Sequence, residues 1–264
     1  MATTTPSSTS DATGGGSPRR GLGVDIGGSG IKAAPVDLDA GSFAADRVRI
    51  PTPQPATAAN IAPVVSTAVN SFPDYRGPVG ITFPAVVQHG ITRTAANVDK
   101  SWIGTDAEGV FSDALGRRVL VVNDADAAGL AEARFGAARD VKGVVVVTTL
   151  GTGIGSALIV DGTLVPNTEF GHLEVDGHDA EKRAADSARE RQDLSWEQWA
   201  KRLQRYYKHL EDLLWPDLIV VGGGVSKKHE KFLPLLDLRS PIVPAKLRND
   251  AGIIGAAALA AEQR

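Results

Sequence analysis

The sequence predicts an α/β protein made by duplication, two α/β domains flanking a cleft, and three observations carry that expectation. At Gly21–Lys32 an apolar strand runs into a carboxylate and a glycine turn, and a second apolar strand follows. The same order recurs at Lys142–Val165, as apolar strand, threonines, glycine turn, apolar strand and Asp-Gly turn. A chain of 264 residues with 42% hydrophobic content can bury one large core or two smaller ones. The expected division is a disordered tail over residues 1–20, an N-terminal domain over 21–122 and a C-terminal domain over 123–248. The last helix, 249–264, is expected to return to the N-terminal domain.

Composition removes several function classes. A net charge of −3 gives no global attraction to nucleic acid or to acidic membranes, so any anion site must be local. Zero cysteines exclude disulfides and thiolate metal sites, and no apolar run approaches the ~20 residues of a membrane span. A soluble cytoplasmic protein is expected.

Residues 1–20 are rich in Ser, Thr, Gly and Pro and have almost nothing to bury. In the first turn Gly27, Gly28, Ser29 and Gly30 can converge their N–H groups on a phosphate. Asp25, just before it, suits a magnesium ion that neutralises phosphates, and Lys32 could reach the inner end of an anionic chain. A Walker loop is excluded because Lys32 is followed by Ala33. A dinucleotide fingerprint is excluded because Pro35 and the Asp39, Ala40, Gly41 turn oppose the helix it must open. An ordinary glycine hairpin stays open as the alternative.

Asp46–Pro55 reads as a third strand leaving through a proline linker. Ile61, Val64, Val65, Ala68, Val69 and Phe72 then predict a helix, with Asn60 as N-cap so that Pro63 falls in the first turn. A strand ending at Pro84 leads into a polar loop, His89–Gly104, read as a substrate rim. Asn97 is its candidate ligand, although turn formation explains an asparagine there as well.

Val119–Val122 is a buried strand that delivers Asn123 and Asp124 to a helix start. A carboxylate there is stabilised in its ionised form, which makes Asp124 a candidate proton acceptor, while capping by Asn123, Asp124 or Asp126 stays open. Gly136 should close that helix. In the second turn Thr149, Gly151, Thr152 and Gly153 offer amides and hydroxyls to phosphate. Glu169 and His172 face together only if Gly171 permits a turn, and would then accept from sugar hydroxyls; a metal site of His172, Glu174 and His178 is the rival. Ser195 and Gln198 read as a capping box opening a helix. Its stripe, Trp196, Trp199, Leu203, Tyr206, Leu210, Leu213 and Leu214, serves a core or a dimer interface, and Lys201, Arg202, Arg205 and Lys208 solvate the other face. Gly222, Gly223 and Gly224 form a third turn after a buried strand. If Ser226 caps a helix there, Lys227 and Lys228 occupy its first turn, either merely solvated or attracting an anionic chain. Gly252, Gly255 and Ala256 allow the final helix to pack closely.

Taken in order, the stretches Asp25–Lys32, Asn123–Gly129, Thr149–Gly162, Glu169–Gly177 and Ile219–Lys228 resemble the ROK family of sugar kinases, and within it the polyphosphate-using glucokinase branch. The resemblance runs from about Gly21 to the C-terminus. It implies the duplicated actin-like, hexokinase-like (ribonuclease H-like) fold and phosphorylation of glucose, and of mannose, at the 6-hydroxyl. The implied donor is polyphosphate or ATP with Mg2+, and the implied assembly a homodimer. In that family the residue matching Asp124 is the base, and those matching Asn123, Glu169 and His172 bind sugar hydroxyls. Glu181 is the match for a further sugar-binding glutamate. The cysteine-rich loop of the wider family is missing, so its structural zinc is not expected, and the lack of a DNA-binding extension argues against its repressor branch. A non-catalytic sugar-binding regulator and a nucleotide hydrolase of the same fold are the alternatives.

Overall fold

The computed structural model describes residues 19–96 and 98–262, and Asn97 and the tail to residue 18 lie outside them. The chain opens with the hairpin β1 (Arg20–Gly27) and β2 (Gly30–Asp37), in which Gly27 faces Gly30 and Asp25 faces Lys32. Two short strands, β3 (Ser42–Phe43) and β4 (Val48–Ile50), pair with β2. After helix α1 (Ala58–Asn70), strand β5 (Val79–Phe83) lies parallel to β1. A small hairpin, β6 (Val87–Gln88) and β7 (Ile91–Thr92), and helix α2 (Ala107–Leu115) precede β8 (Val119–Asn123), parallel to β5.

Helix α3 (Asp124–Phe135) leads to the second sheet, whose hairpin is β9 (Val144–Leu150) and β10 (Ile154–Val160), edged by β11 (Thr163–Val165). The hairpin β12 (Glu174–Val175) and β13 (His178–Asp179) follows, then helices α4 (Ala180–Ala184), α5 (Asp186–Arg191) and α6 (Trp196–Leu214). Strands β14 (Leu218–Gly222) and β15 (Ile242–Pro244) complete the sheet, and α7 (Ala251–Glu262) closes the described chain. The sheets run β3-β2-β1-β5-β8 and β11-β10-β9-β14-β15. Each is an antiparallel hairpin extended by two parallel strands, so the duplication expected from the two glycine turns extends to the whole topology.

Apolar periodicity explains where the cores sit. Strands β1, β5 and β8 bury Leu22, Val24, Ile81 and Val121 against α1 and α2, where Trp102 stacks on Phe111 and meets Phe83 at a tilt. The opposite face of β1 and β5 carries glycines, because α7 lies on it: a Cβ on Gly23 would stand 2.0 Å from the Ile253 carbonyl oxygen, and one on Gly80 1.9 Å from that of Ala256. In the other half Trp199, Leu203, Tyr207 and Leu210 of α6 pack on Ile219 and Val221. No helix among the described residues is long and apolar enough to cross a membrane.

Four local expectations are corrected. Thr57, not Asn60, is the N-cap of α1, and Pro63 lies well inside the helix. Pro63 and Ala59, whose carbonyl it cannot serve, are both exposed. The polar loop, entered directly from β6, contains β7 and a fully buried Trp102 whose indole N–H donates to the Ala56 carbonyl. Leu213 points to solvent at 57% exposure, whereas Glu211 is buried. Burial pushes Glu211 up, but the Ser240 N–H, Lys208 and Arg239 outweigh it and bring its pKa to about 2.

Candidate active site

A cleft of ≈ 510 Å³ opens where the C-terminal ends of β5, β8 and β9 meet. Its lining joins Asn123, Asp124, Thr149, Gly151, Thr152, Gly153, Glu169, His172, Glu181 and Gly223. Residues distant in sequence converge because the C-terminal strand ends of both halves border this cleft, which is where open α/β sheets place ligands.

Asn123 takes the capping role at α3. Its Oδ1 accepts from the Ala125 and Asp126 N–H groups at 2.9 and 3.1 Å, and its Nδ2 donates to the Ala85 carbonyl at 3.1 Å. One amide proton is left for a ligand. Asp124, the first helical residue, is thereby relieved of capping: its Oδ1 accepts from Ala125 at 2.8 Å, and Oδ2 has no partner among the described residues. The carboxyl opens on the cleft but has protein on its other sides. Asp124 is exposed toward the cleft, yet desolvation by the protein packed around its carboxyl, then the nearby Asp25 charge, pushes its pKa up to about 6 against the opposing pull of the Ala125 N–H. A group poised there is a carboxylate at neutral pH and a stronger base than an ordinary aspartate.

Glu169 and His172 do face together. Phe170–His172 is a single 3-10 turn with Glu169 at its start, and the His172 Nε2 lies 3.9 Å from Glu169 Oε2. Gly171 allows this, since a Cβ there would meet the Ile154 carbonyl oxygen at 2.0 Å. Asp179 bonds His172 Nδ1 at 3.1 Å and raises its pKa, fixing the ring so that Nε2 is turned to Glu169. Burial raises Glu169 as well. Glu181, in the first turn of α4, accepts from the Ile154 N–H at 3.0 Å. Among the described residues no group of three His, Cys, Asp or Glu is placed to hold a metal, which removes the rival reading of His172, Glu174 and His178.

The glycines divide by what surrounds them. Gly28, Gly151 and Gly224 have open space where a Cβ would be, so a ligand can approach their backbone. Gly153 instead makes room for Glu181, whose Oε2 would lie 2.2 Å from its Cβ, and Gly223, at φ +81°, makes room for the Leu150 backbone. Gly30 packs under the Arg49 side chain, which donates to the Ser29 carbonyl at 3.0 Å; Gly27 and Gly222 make closer protein contacts than the open three.

Lys32 does not extend toward a phosphate. It sits opposite Asp25 in the hairpin register and binds its Oδ2 at 2.8 Å, while Thr82 of β5 donates to Oδ1 at 2.9 Å. Both oxygens of Asp25 are thus engaged by protein groups, so any magnesium contact from this residue would have to run through water. Ser226 is no cap: it lies inside the 3-10 segment Gly224–Lys231 and its hydroxyl donates to the Gly223 carbonyl at 2.8 Å. Lys227 and Lys228 are exposed and outside the cleft lining, and the Lys228 Nζ stands 5.8 Å from the Trp196 ring, beside Lys231 and Arg189. Thr82, Arg49 and Asn167 lie in no motif of the sequence. The hairpin register would have found the Asp25–Lys32 pair, but nothing local marks Thr82.

Comparison with known proteins places these features in context. Residues 21–189 match the model of the ROK family. The chain is 54% identical over 256 residues to a polyphosphate glucokinase of Mycobacterium tuberculosis, covering 97% of this chain and 96% of that one. It is 51% identical to the polyphosphate glucokinase of Mycobacterium leprae, over 94% of this chain and 76% of that one. Among solved structures, the inorganic polyphosphate/ATP-glucomannokinase of Arthrobacter sp. strain KM superposes with a TM-score of 0.88 at 55% identity, over 93% of this chain and 99% of that one. A ROK-family glucokinase from Streptomyces griseus in complex with glucose and AMPPNP superposes with a TM-score of 0.78 at 25% identity, over 92% and 100% of the two chains.

Proposed function

The chain belongs to the ROK family, and on that premise we propose that it transfers the terminal phosphoryl group of polyphosphate or ATP to the 6-hydroxyl of glucose, and of mannose. The observation that carries the reading is the single cleft in which Asp124 meets Asn123, Glu169, His172, Glu181 and the second glycine turn. Polyphosphate glucokinases among its relatives support the donor and the sugar.

In this reading Asn123, Glu169, His172 and Glu181 hold the sugar hydroxyls and set the 6-hydroxyl against Asp124. The hydroxyl oxygen forms the new bond to phosphorus as the bond to the departing phosphate breaks, and its proton passes to Asp124 Oδ2. Amides at Gly151 and the Thr149 and Thr152 hydroxyls face the negative charge that moves onto the leaving phosphate. Magnesium, when bound, neutralises the donor phosphates, with Asp25 as its protein anchor through water. Positioning and charge stabilisation supply most of the rate. The proposal extends to a homodimer in the cytoplasm, which light scattering on the purified chain tests for assembly.

The test is a coupled assay of sugar phosphate formation with glucose or mannose, each with polyphosphate or ATP, and with Asp124→Asn alongside. Sugar-dependent transfer that vanishes in the variant supports the reading. Glucose binding without turnover would make the chain a regulator, and donor hydrolysis indifferent to sugar would make it a hydrolase.

A further inference from the structure

Asn167, between β11 and Glu169, makes contacts that the phosphoryl transfer described above does not use. It holds a left-handed backbone, φ +60°. Its Oδ1 accepts from the Val87 N–H at 3.0 Å while its Nδ2 donates to the Val87 carbonyl at 2.8 Å. The amide thus imitates a paired strand residue and adds itself to β6, in the other half of the molecule. Its own N–H donates to Asp126 Oδ2 at 2.7 Å, tying it to the first turn of α3, two residues on from Asp124.

These bonds meet at a wall. On one side is the cleft, lined by Ala85, Val86 and Glu169; on the other is a second cavity of ≈ 780 Å³, lined by Val87, His89, Asp126 and Asn167. Asp126 is 1% exposed and its Oδ1 has no partner, so the protein bears the cost of a buried carboxyl to hold one backbone N–H. Burial, then the Asn167 N–H pulling the other way, and the Glu169 and Asp124 charges bring its pKa to about 7. Such an arrangement exceeds what closing a surface loop requires. One and three residues beyond Asn167, the Thr168 carbonyl and the Phe170 N–H are both held by Ser156, which brackets Glu169, while Asn167 ties the start of the same segment to β6 and α3.

We propose that Asn167 is a positioning residue of the sugar site, clasping the β6 edge to the segment that carries Glu169, with Asp126 anchoring it from α3. The inference rests on glucose occupying the cleft, and it concerns the sugar end alone. Asn167→Gly keeps the left-handed backbone and removes both side-chain bonds; Asp126→Ala removes the anchor and serves if the first variant does not fold. In the full chain, calorimetry with glucose alone and steady-state kinetics with glucose and polyphosphate are measured on wild type and both variants, after thermal melts establish folding. The expected result is a glucose Kd and KM raised roughly tenfold, from loss of the clasp's hydrogen bonds, with the polyphosphate KM unchanged. Unchanged glucose affinity in the folded variants, or an equal rise in both KM values, overturns the proposal. Wild-type protein that binds no glucose would instead overturn the functional reading on which it rests.

Discussion

In the proposed reaction Asp124 is the base, and its environment gives that proposed role a pH signature. Asp124 has a pKa raised to about 6 by desolvation and by Asp25, so the base form required for proton transfer is lost below that value and kcat/KM should rise with pH through about 6. Asp124→Asn keeps the shape and removes the acceptor; turnover should fall ~10²- to 10⁴-fold with glucose affinity far less affected. A variant keeping more than about a tenth of wild-type turnover would sink the assignment. The same shift carries a stability consequence. Because the folded pKa exceeds the unfolded one, the native state binds the proton more tightly, and stability from this group is present at low pH and lost as pH rises toward the folded value. The melting temperature of Asp124→Asn should therefore gain on wild type between pH 4 and about 6 and hold that gain above. A constant difference across that range would mean the carboxyl is not perturbed.

At the scale of turns and short segments, the surroundings of each glycine predict whether a substitution there should affect the sugar or the donor. Alanine at Gly153 would displace the Glu181 carboxylate, while alanine at Gly151 would project into open space. Gly153→Ala should raise the glucose KM by ~10-fold or more, the worth of about one hydrogen bond to a charged group, and spare the donor KM. Gly151→Ala should do the reverse, and steady-state kinetics showing the same pattern for both would remove the division. The segment Gly224–Lys231 lies at the mouth of the third turn, where Lys228, Lys231 and Arg189 gather around Trp196. Replacing Lys227 and Lys228 together by Ala should raise the KM of polyphosphate more than that of ATP. The difference should shrink with added salt, given a Debye length of ~10 Å at 0.1 M. Equal effects on both donors would route the chain elsewhere.

Across the whole molecule, α3 links the two sheets and thereby fixes where Asp124 stands. Gly129 on one side leaves room for Ala157 of β10, and on the other a Cβ at Gly255 of α7 would lie 1.8 Å from the Ala127 carbonyl oxygen. Backbone cannot yield as a flexible side chain can. Gly255→Ala should force α7 and α3 apart, cost ~1 to 3 kcal/mol in chemical denaturation and lower kcat by displacing the base. Wild-type stability with wild-type kcat would show that the crossing has slack. Glu132 braces the far end of the same helix, accepting from Ala137, Lys246 and Leu247 although it is 1% exposed.

The sequence alone determined the duplication, because strand, glycine turn and strand are local patterns that follow from alternation and from the missing Cβ. It also determined the delivery of Asp124 to a helix start, since a buried strand followed directly by capping residues is legible within ten positions. The five ordered motifs carried the family, which the comparison bears out. What only the tertiary structure decided were the partners of those residues. Lys32 turns to Asp25, Gly153 yields to Glu181, and Asn123 spends its oxygen on two helix amides. The same holds for the buried Trp102 inside a polar loop and for Asn167 reaching Val87 across 80 positions. Local periodicity constrains backbone shape, whereas a side chain's partner is set by which distant strand ends converge, and that depends on the packing of the whole chain.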